Sequence, residues 1–303
     1  MIYNKPVTTI AEQIEQLKSR GLTINDENSA EHYLTYVGYY RLAGYWWPMQ
    51  SDKENHLFKP DSRFEDVIAL YNFDRELRIL LFDVIERIEI GLRSRMNYNI
   101  SLEHGFWWFQ KIEIFINSRE LIKTLTSLEE SVDISKDIFI KEHKKKYAED
   151  LRFPPCIKTM ELATFGNLSK LYGNLKPSVE SKDKIAAELN TVNHTYLHSW
   201  LQSISNIRNT CAHHARLWNK NMVTKPSLLS NPPGLWLGNV PPPEEHHKLY
   251  IHACCMKYLL DVVSPGHHYK QKLAELFIKF PNVDKAALGF PATWEHEPLW
   301  TNV

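Results

Sequence analysis

The sequence predicts an all-α protein: a helical bundle built on one long spine helix, with extra helices on its N- and C-terminal sides. Three observations lead there. Apolar residues from Phe64 to Leu92 recur at three- and four-residue spacing, the period of a helix with one buried face. Capping residues and helix stops punctuate the chain. The two-residue alternation of a half-buried strand is scarce throughout.

The elements follow in order. Thr9 and Glu12 have capping-box spacing, and Gly21 stops the helix they open. The stretch from Ala30 to Tyr45 begins as a helix, which Pro48 ends. Ser62 and Glu65 form a second capping-box pattern. The spine follows it, with Phe64, Val67, Ile68, Tyr71, Leu77, Leu80, Leu81, Val84, Ile85, Ile88 and Leu92 on one stripe, and runs to about Tyr98. Further helices are expected near 118–130, 135–149, 157–173, 181–190, 194–216, 245–263 and 268–279. The stretch from Asn219 to Pro243 carries Pro226, Pro232, Pro233, Gly234, Gly238, Pro241, Pro242 and Pro243, and reads as a loop. The expected organisation is an N-terminal helical region (1–60), a helical core (61–219), the Pro-rich loop (220–243), and a C-terminal helical hairpin and tail packed on the core (244–303).

Composition excludes several classes. A chain of 303 residues that is 43% apolar can bury a sizeable core and is not a disordered one. Lys plus Arg and Asp plus Glu both number 36, so a uniformly basic nucleic-acid coat is excluded, while a local basic patch is not. The most apolar stretch, Ile79 to Leu92, is interrupted by Asp83, Glu86, Arg87 and Glu89. It falls short of the roughly 20 apolar residues of a membrane span. Met1 to Thr9 has no apolar signal region, and the four cysteines form no CxxC pair. These features predict a cytoplasmic protein with reduced thiols and no membrane partner.

One stretch, WLQSISNIRNTCAHHARLWN (Trp200 to Asn219), carries candidate chemistry. Arg208 is followed by Asn209, and His213 lies five positions after the arginine. The spacing alone is common, and buried polar residues of a helix often satisfy one another. Yet on a helix Ser205, Asn209 and His213 stack at i, i+4 and i+8, with Arg208 about 100° round from Asn209. Only Leu201, Ile204, Ile207 and Leu217 form an apolar stripe, so the polar face must meet solvent, a symmetry mate or a ligand, or be hydrogen-bonded within the chain. Histidine ordinarily titrates near neutrality, at about 6.5, and an arginine fork stabilises charge on phosphoryl oxygens. Together they can activate an RNA 2′-OH against its own phosphate, a reaction DNA cannot undergo.

Four stretches together carry a resemblance: YLTYVGYYRLAGYW (Tyr33 to Trp46), FDRELRILLFDVIERIEIGLRSRM (Phe73 to Met96), PPCIKTMELATFGNLSKLYGNL (Pro154 to Leu175) and SWLQSISNIRNTCAHHARLWN (Ser199 to Asn219). The tail GFPATWEHEPLW (Gly289 to Trp300) fits as well. In these the chain resembles the bacterial abortive-infection family AbiD/AbiF (the Abi-2 group), whose core is similar to HEPN ribonucleases. The resemblance implies a HEPN-like bundle that forms a homodimer with the motif helices at the interface. It implies a metal-independent, cofactor-free endoribonuclease toxin of antiphage defence, leaving 2′,3′-cyclic phosphate and 5′-OH ends. Arg208 would then bind the scissile phosphate, Asn209 would orient the site, and His213 would act as general base or acid. His214 offers a second spacing and is a secondary candidate. A small structured RNA is implied as the restraining partner. The competing reading is a catalytically silent HEPN-like module that binds RNA or protein.

Other features carry weaker expectations. Lys141, Lys144, Lys145 and Lys146 form the densest basic cluster, which reads as a solvated face or a phosphate-backbone contact. Arg41, among Tyr39, Tyr40, Tyr45, Trp46 and Trp47, could touch RNA or pair with a carboxylate, and the aromatics read more readily as core. Glu89 and Arg93 read as an i,i+4 ion pair. The histidine doublets 246–247 and 267–268 project about 100° apart on a helix and complete no metal set. No phosphate-binding Gly-rich loop and no nucleophile elbow occurs.

Overall fold

A computed structural model describes residue 2 and residues 6–301. The protein is all-α: 63% of it is helical, with thirteen α-helices among the described residues and one two-stranded sheet. The chain forms two compact units, residues 1–79 with 273–284 and residues 80–272 with 285–303. No helix is long and apolar enough to cross a membrane.

The first unit opens with α1 (Ile10–Ser19), whose Thr9–Glu12 capping box forms as expected; Gly21 then takes a φ of +91°, which favours glycine. Asp26 caps α2 (Glu27–Tyr36) by accepting from the Ser29 N–H at 3.0 Å. Gly38, at φ +92°, splits the aromatic stretch into α2 and α3 (Tyr39–Trp46). Next comes a hairpin that alternation did not reveal, β1 (Gln50–Asp52) with β2 (Leu57–Phe58). The Asp52 side chain nucleates its turn by accepting from the Glu54 and Asn55 N–H groups at 2.9 and 3.0 Å.

The second expected capping box does not form. The Ser62 hydroxyl donates to the Met49 carbonyl, and the Glu65 carboxylate accepts from the Asn25 and Asp26 N–H groups. Tertiary partners outcompete the local pair.

In the same unit, the buried Asp74 accepts from the Tyr45 hydroxyl at 2.7 Å and pairs with Arg78 one turn on. Phe73 stacks on Phe277, with ring centroids 5.7 Å apart. Tyr45 and Trp46 are core, as the aromatic pattern suggested, while Tyr40 and Trp47 are exposed. Arg41 is exposed on α3.

The spine, α4 (Phe64–His104), is 41 residues and about 60 Å long, six residues longer than the stripe predicted. Gly105, at φ +79°, ends it. In the second unit Leu81, Val84, Ile85, Ile88, Leu92, Met96 and Ile100 form its buried stripe.

The helices that follow are α5 (Ser118–Ile134), α6 (Ile138–Lys146), α7 (Cys156–Thr159), α8 (Phe165–Asn174), α9 (Glu180–Glu188), α10 (His194–Ala212), α11 (Leu249–Val263), α12 (Tyr269–Lys279) and α13 (Pro298–Thr301). The expected helix 157–173 is two, because the Thr164 side chain accepts from the Asn167 N–H and starts α8 afresh. Two of α8's glycines face α10. A Cβ on Gly166 would sit 3.5 Å from the Ser205 hydroxyl, and one on Gly173 would overlap the His198 ring. The absence of side chains there lets the helices approach closely. Buried Lys182 donates to the Gly173 and Leu175 carbonyls and so closes the C-terminal end of α8. All four cysteines are buried and none forms a disulfide.

After α10 the Pro-rich loop returns along that helix as a strap. Lys220 donates to the Thr210 hydroxyl at 3.2 Å and Asn206 to the Thr224 hydroxyl at 3.0 Å. The Trp200 indole donates to the Ser227 carbonyl at 2.7 Å, and the Tyr196 and Ser230 hydroxyls meet at 3.0 Å. His252 of α11 pins the strap from behind: its Nε2 lies 3.0 Å from the Thr224 carbonyl, and its Nδ1 lies 2.8 Å from the Lys248 carbonyl.

Burial holds His252 below the ordinary histidine value, against the two carbonyls that favour its cation. The folded chain therefore keeps the ring neutral where the unfolded chain takes a proton. Its contribution to stability is complete above about pH 6.5 and is lost as pH falls below that value. We expect the thermal midpoint to drop between pH 7 and pH 5, and to drop less in His252→Gln, as followed by circular dichroism.

Candidate active site

The candidate residues lie at the C-terminal end of α10. Asn193 caps the helix at its other end, accepting from the Thr195 N–H at 2.9 Å. Leu197, Trp200, Leu201, Ile204, Ile207 and Cys211 form the buried face. The strap takes up Ser199, Asn206 and Thr210, so part of the polar character of this helix is internal hydrogen bonding. What remains is a stripe of Gln202, Ser205, Asn209 and His213 at three- and four-residue spacing, in which Gln202, Asn209 and His213 are exposed and half-buried Ser205 lies against Gly166 of α8.

The helix ends at Ala212, four residues short of the expected 216, because of a Schellman turn. The His214 N–H bonds the Cys211 carbonyl at 2.9 Å, and the Ala215 N–H bonds the Thr210 carbonyl at 2.9 Å. His214 occupies the left-handed position at φ +54°, where glycine is the residue of least strain. His213 is the C-cap residue, with φ −85° and ψ 9°, and its exposed side chain leaves the helix at the turn. The structure thus gives His214 a backbone role, whatever its imidazole does. We expect His214→Gly to raise the unfolding free energy by about 0.5–1 kcal/mol, read from the urea midpoint.

Arg208 stands beside this stripe and is half-buried. Neither its guanidinium nor the side chains of Asn209 and His213 make a hydrogen bond or ion pair with any described residue. Glu89 of α4 lies within electrostatic reach of the Arg208 guanidinium without a direct ion pair. Burial pushes the Glu89 carboxyl up, and Arg93 and then Arg208 draw it back down. Arg93 bonds Glu89 at 2.7 Å and the Ala163 carbonyl at 3.2 Å, and lies 3.7 Å from Glu161. The expected Glu89–Arg93 pair therefore forms. Its place beside Arg208 was missed; the one available signal was the position of Glu89 at the margin of the buried Ile85–Ile88–Leu92 stripe.

The basic cluster sits elsewhere in the same unit. Lys141, Lys145 and Lys146 on α6 are exposed. Lys144 is engaged, donating to the Val132 carbonyl and the Asp133 carboxylate, both at 3.1 Å. None of the four makes a hydrogen bond or ion pair with α10. Arg41 belongs to the other compact unit. Arg87 pairs with Asp83 and donates to Ser264, and Arg95 lies 3.8 Å from Glu188.

Arg208, Asn209 and His213 thus come together at one helix end of an all-α chain. A sequence model of the Abi-like protein family matches residues 32–219, more than half of the chain, and the chain belongs to that family. The match takes in the spine and ends at Asn219, a few residues past His213. The family name points to abortive infection, a form of phage defence. No curated protein and no solved structure matches the chain.

Proposed function

We propose that this chain is a metal-independent endoribonuclease of the HEPN type, acting as the toxin of an antiphage abortive-infection system. The observation that carries the reading is Arg208. An arginine brings five fixed donors to a half-buried place, and a fold that spends none of them internally leaves them for an anionic ligand. The ligand this reading supplies is an RNA phosphate.

In the reaction, one imidazole removes the 2′-OH proton as that oxygen attacks the adjacent phosphorus. A second acid protonates the departing 5′ oxygen. Arg208 neutralises charge building on the phosphoryl oxygens, and Asn209 orients the strand. The products are a 2′,3′-cyclic phosphate and a 5′-OH. Base and acid are two groups, and each chain brings one His213 to its helix end; His214 is the secondary candidate. A homodimer with two-fold symmetry supplies the second imidazole. A small structured RNA is the proposed restraint on the toxin.

The test is RNA cleavage in EDTA with typing of the product ends. Cleavage that leaves cyclic phosphates and disappears in Arg208→Ala and His213→Ala supports the ribonuclease. RNA binding without cleavage by the wild-type chain supports the silent binding module instead.

A further inference from the structure

Between Glu188 and Glu244 the chain carries no aspartate or glutamate, a run of 55 residues. At the overall frequency of 36 acidic residues in 303, about six would be expected there. The run contains α10 and the strap that lies along it, and its cations are Arg208, Arg216, Lys220 and Lys225. The α6 lysines, by contrast, are interleaved with Asp137, Glu142 and Glu149. The strap delivers two of the cations to the helix. Half-buried Lys220 donates to the Thr210 hydroxyl at 3.2 Å, its one hydrogen-bond or ion-pair partner among the described residues. That hydroxyl donates onward to the Asn206 carbonyl at 2.9 Å, so Lys220 meets a neutral acceptor and no counter-charge. An ammonium has three donors, and a single hydroxyl takes up one of them. Lys225 is exposed and makes no hydrogen bond or ion pair with a described residue. It follows Thr224, whose hydroxyl Asn206 holds. Arg208 and Thr210 flank Asn209 in sequence, so they stand about 100° to either side of it on the helix. The exposed Asn209 and, one turn on, His213 therefore lie between the side that bears Arg208 and the side that receives Lys220. Asn206 is one turn back from Thr210, which sets the two anchor points of the strap about 6 Å apart, on the scale of one nucleotide of an extended strand.

We propose that the strap is the second wall of a phosphate track, in which Lys220 and Lys225 hold phosphates of the RNA strand that flank the one bound by Arg208. The helix dipole draws a cation to the C-terminal end of α10 and accounts for one lysine there. It does not account for the missing acids, which leave the local potential positive in a protein of zero net charge. Cations spread along one helix and its strap fit a chain of phosphates better than a single carboxylate. The contacts are to the backbone of the strand, so they add affinity and register without sequence preference. The identity of the polyanion as RNA rests on the ribonuclease reading. The track itself is tested without cleavage.

The experiment uses the full chain carrying His213→Ala and a fluorescein-labelled single-stranded RNA of about 20 nucleotides. Anisotropy gives the affinity over a salt series, sedimentation the oligomeric state, and melting curves the fold. Lys220→Ala is expected to weaken binding about fivefold near 0.1 M salt and to make the log–log salt slope shallower by about 0.7, one phosphate contact on a single strand. Lys225→Ala should do the same, and the double variant should lose about 25-fold and about 1.4 in slope. Lys220→Arg keeps the charge and should keep both affinity and slope. Thr210→Val removes the strap's hydroxyl partner but leaves the ammonium, so its slope should stay that of the parent. Lys123→Ala, a charge-matched change on α5, should leave the slope alone. Unchanged slopes in the Lys220 and Lys225 variants, with RNA still bound, would overturn the track and leave the ribonuclease reading standing. A Thr210→Val chain that reproduces the Lys220→Ala loss would also overturn it, making Lys220 a brace. So would a Lys220→Ala chain that loses an oligomer while its RNA slope is unchanged, which would assign the lysine to a second copy. A chain that binds no RNA at any salt defeats both readings. If the slopes shift as expected while the wild-type chain cuts no RNA, the track stands and the ribonuclease reading falls.

Discussion

His213→Ala is expected to lower RNA cleavage by about 10²–10⁴-fold while the protein stays folded. The size follows from the proposed role: one positioned proton-transfer group would be removed, and the proposed binding donors would remain. The folding expectation follows from the structure, because the His213 side chain is exposed and its cap bonds are made by backbone. Arg208→Ala should cost about 10²–10³-fold for a different reason, the loss of charge stabilisation at phosphorus. Arg208→Lys keeps the charge but loses the fork, so it should recover only part of that loss. The double variant should be little worse than the weaker single one, since groups acting in one step do not add. Initial rates on a single RNA, with melting curves for each variant, check all four. Full activity in a well-folded His213→Ala protein would move the chemistry elsewhere.

Asp74→Ala is expected to be the most damaging single change outside the site, lowering the unfolding free energy by about 3–5 kcal/mol. Asp74 is fully buried, accepts from Tyr45 and pairs with Arg78, itself 6% exposed. Removing the carboxylate takes away the acceptor of the Tyr45 hydroxyl and the counter-charge of Arg78 inside the core. Asp74→Asn keeps an acceptor for Tyr45 and should cost less. Urea midpoints of the two variants separate the loss of charge from the loss of shape.

Much of this fold was legible in the sequence because its signals are local. The period of the spine, the Thr9 cap, the Gly21 stop and the Glu89–Arg93 pair depend on residues within a turn or two of each other. What stayed hidden depends on distant partners. Ser62 and Glu65 have the spacing of a cap but are claimed by Met49 and by Asn25 and Asp26. The strap shows in the sequence as a Pro-rich loop, and nothing local says that it lies along α10 and takes up Ser199, Asn206 and Thr210 of that helix. The candidate residues themselves were legible as a pattern. The missing partner list of Arg208, which separates a ligand site from a satisfied buried network, became visible only when every neighbour had been placed.

The strap also orders events in time. Ribosomes make α10, with Arg208 and His213, before residues 220–230 that brace it, and before His252 that pins the brace. While the chain is being made, its motif helix has no strap to take up Ser199, Asn206 and Thr210, and α11 is not yet in place behind it. The arrangement described for the helix end is therefore a property of the completed polypeptide. A chain truncated shortly after Asn219 would carry every candidate residue without the scaffold that positions them.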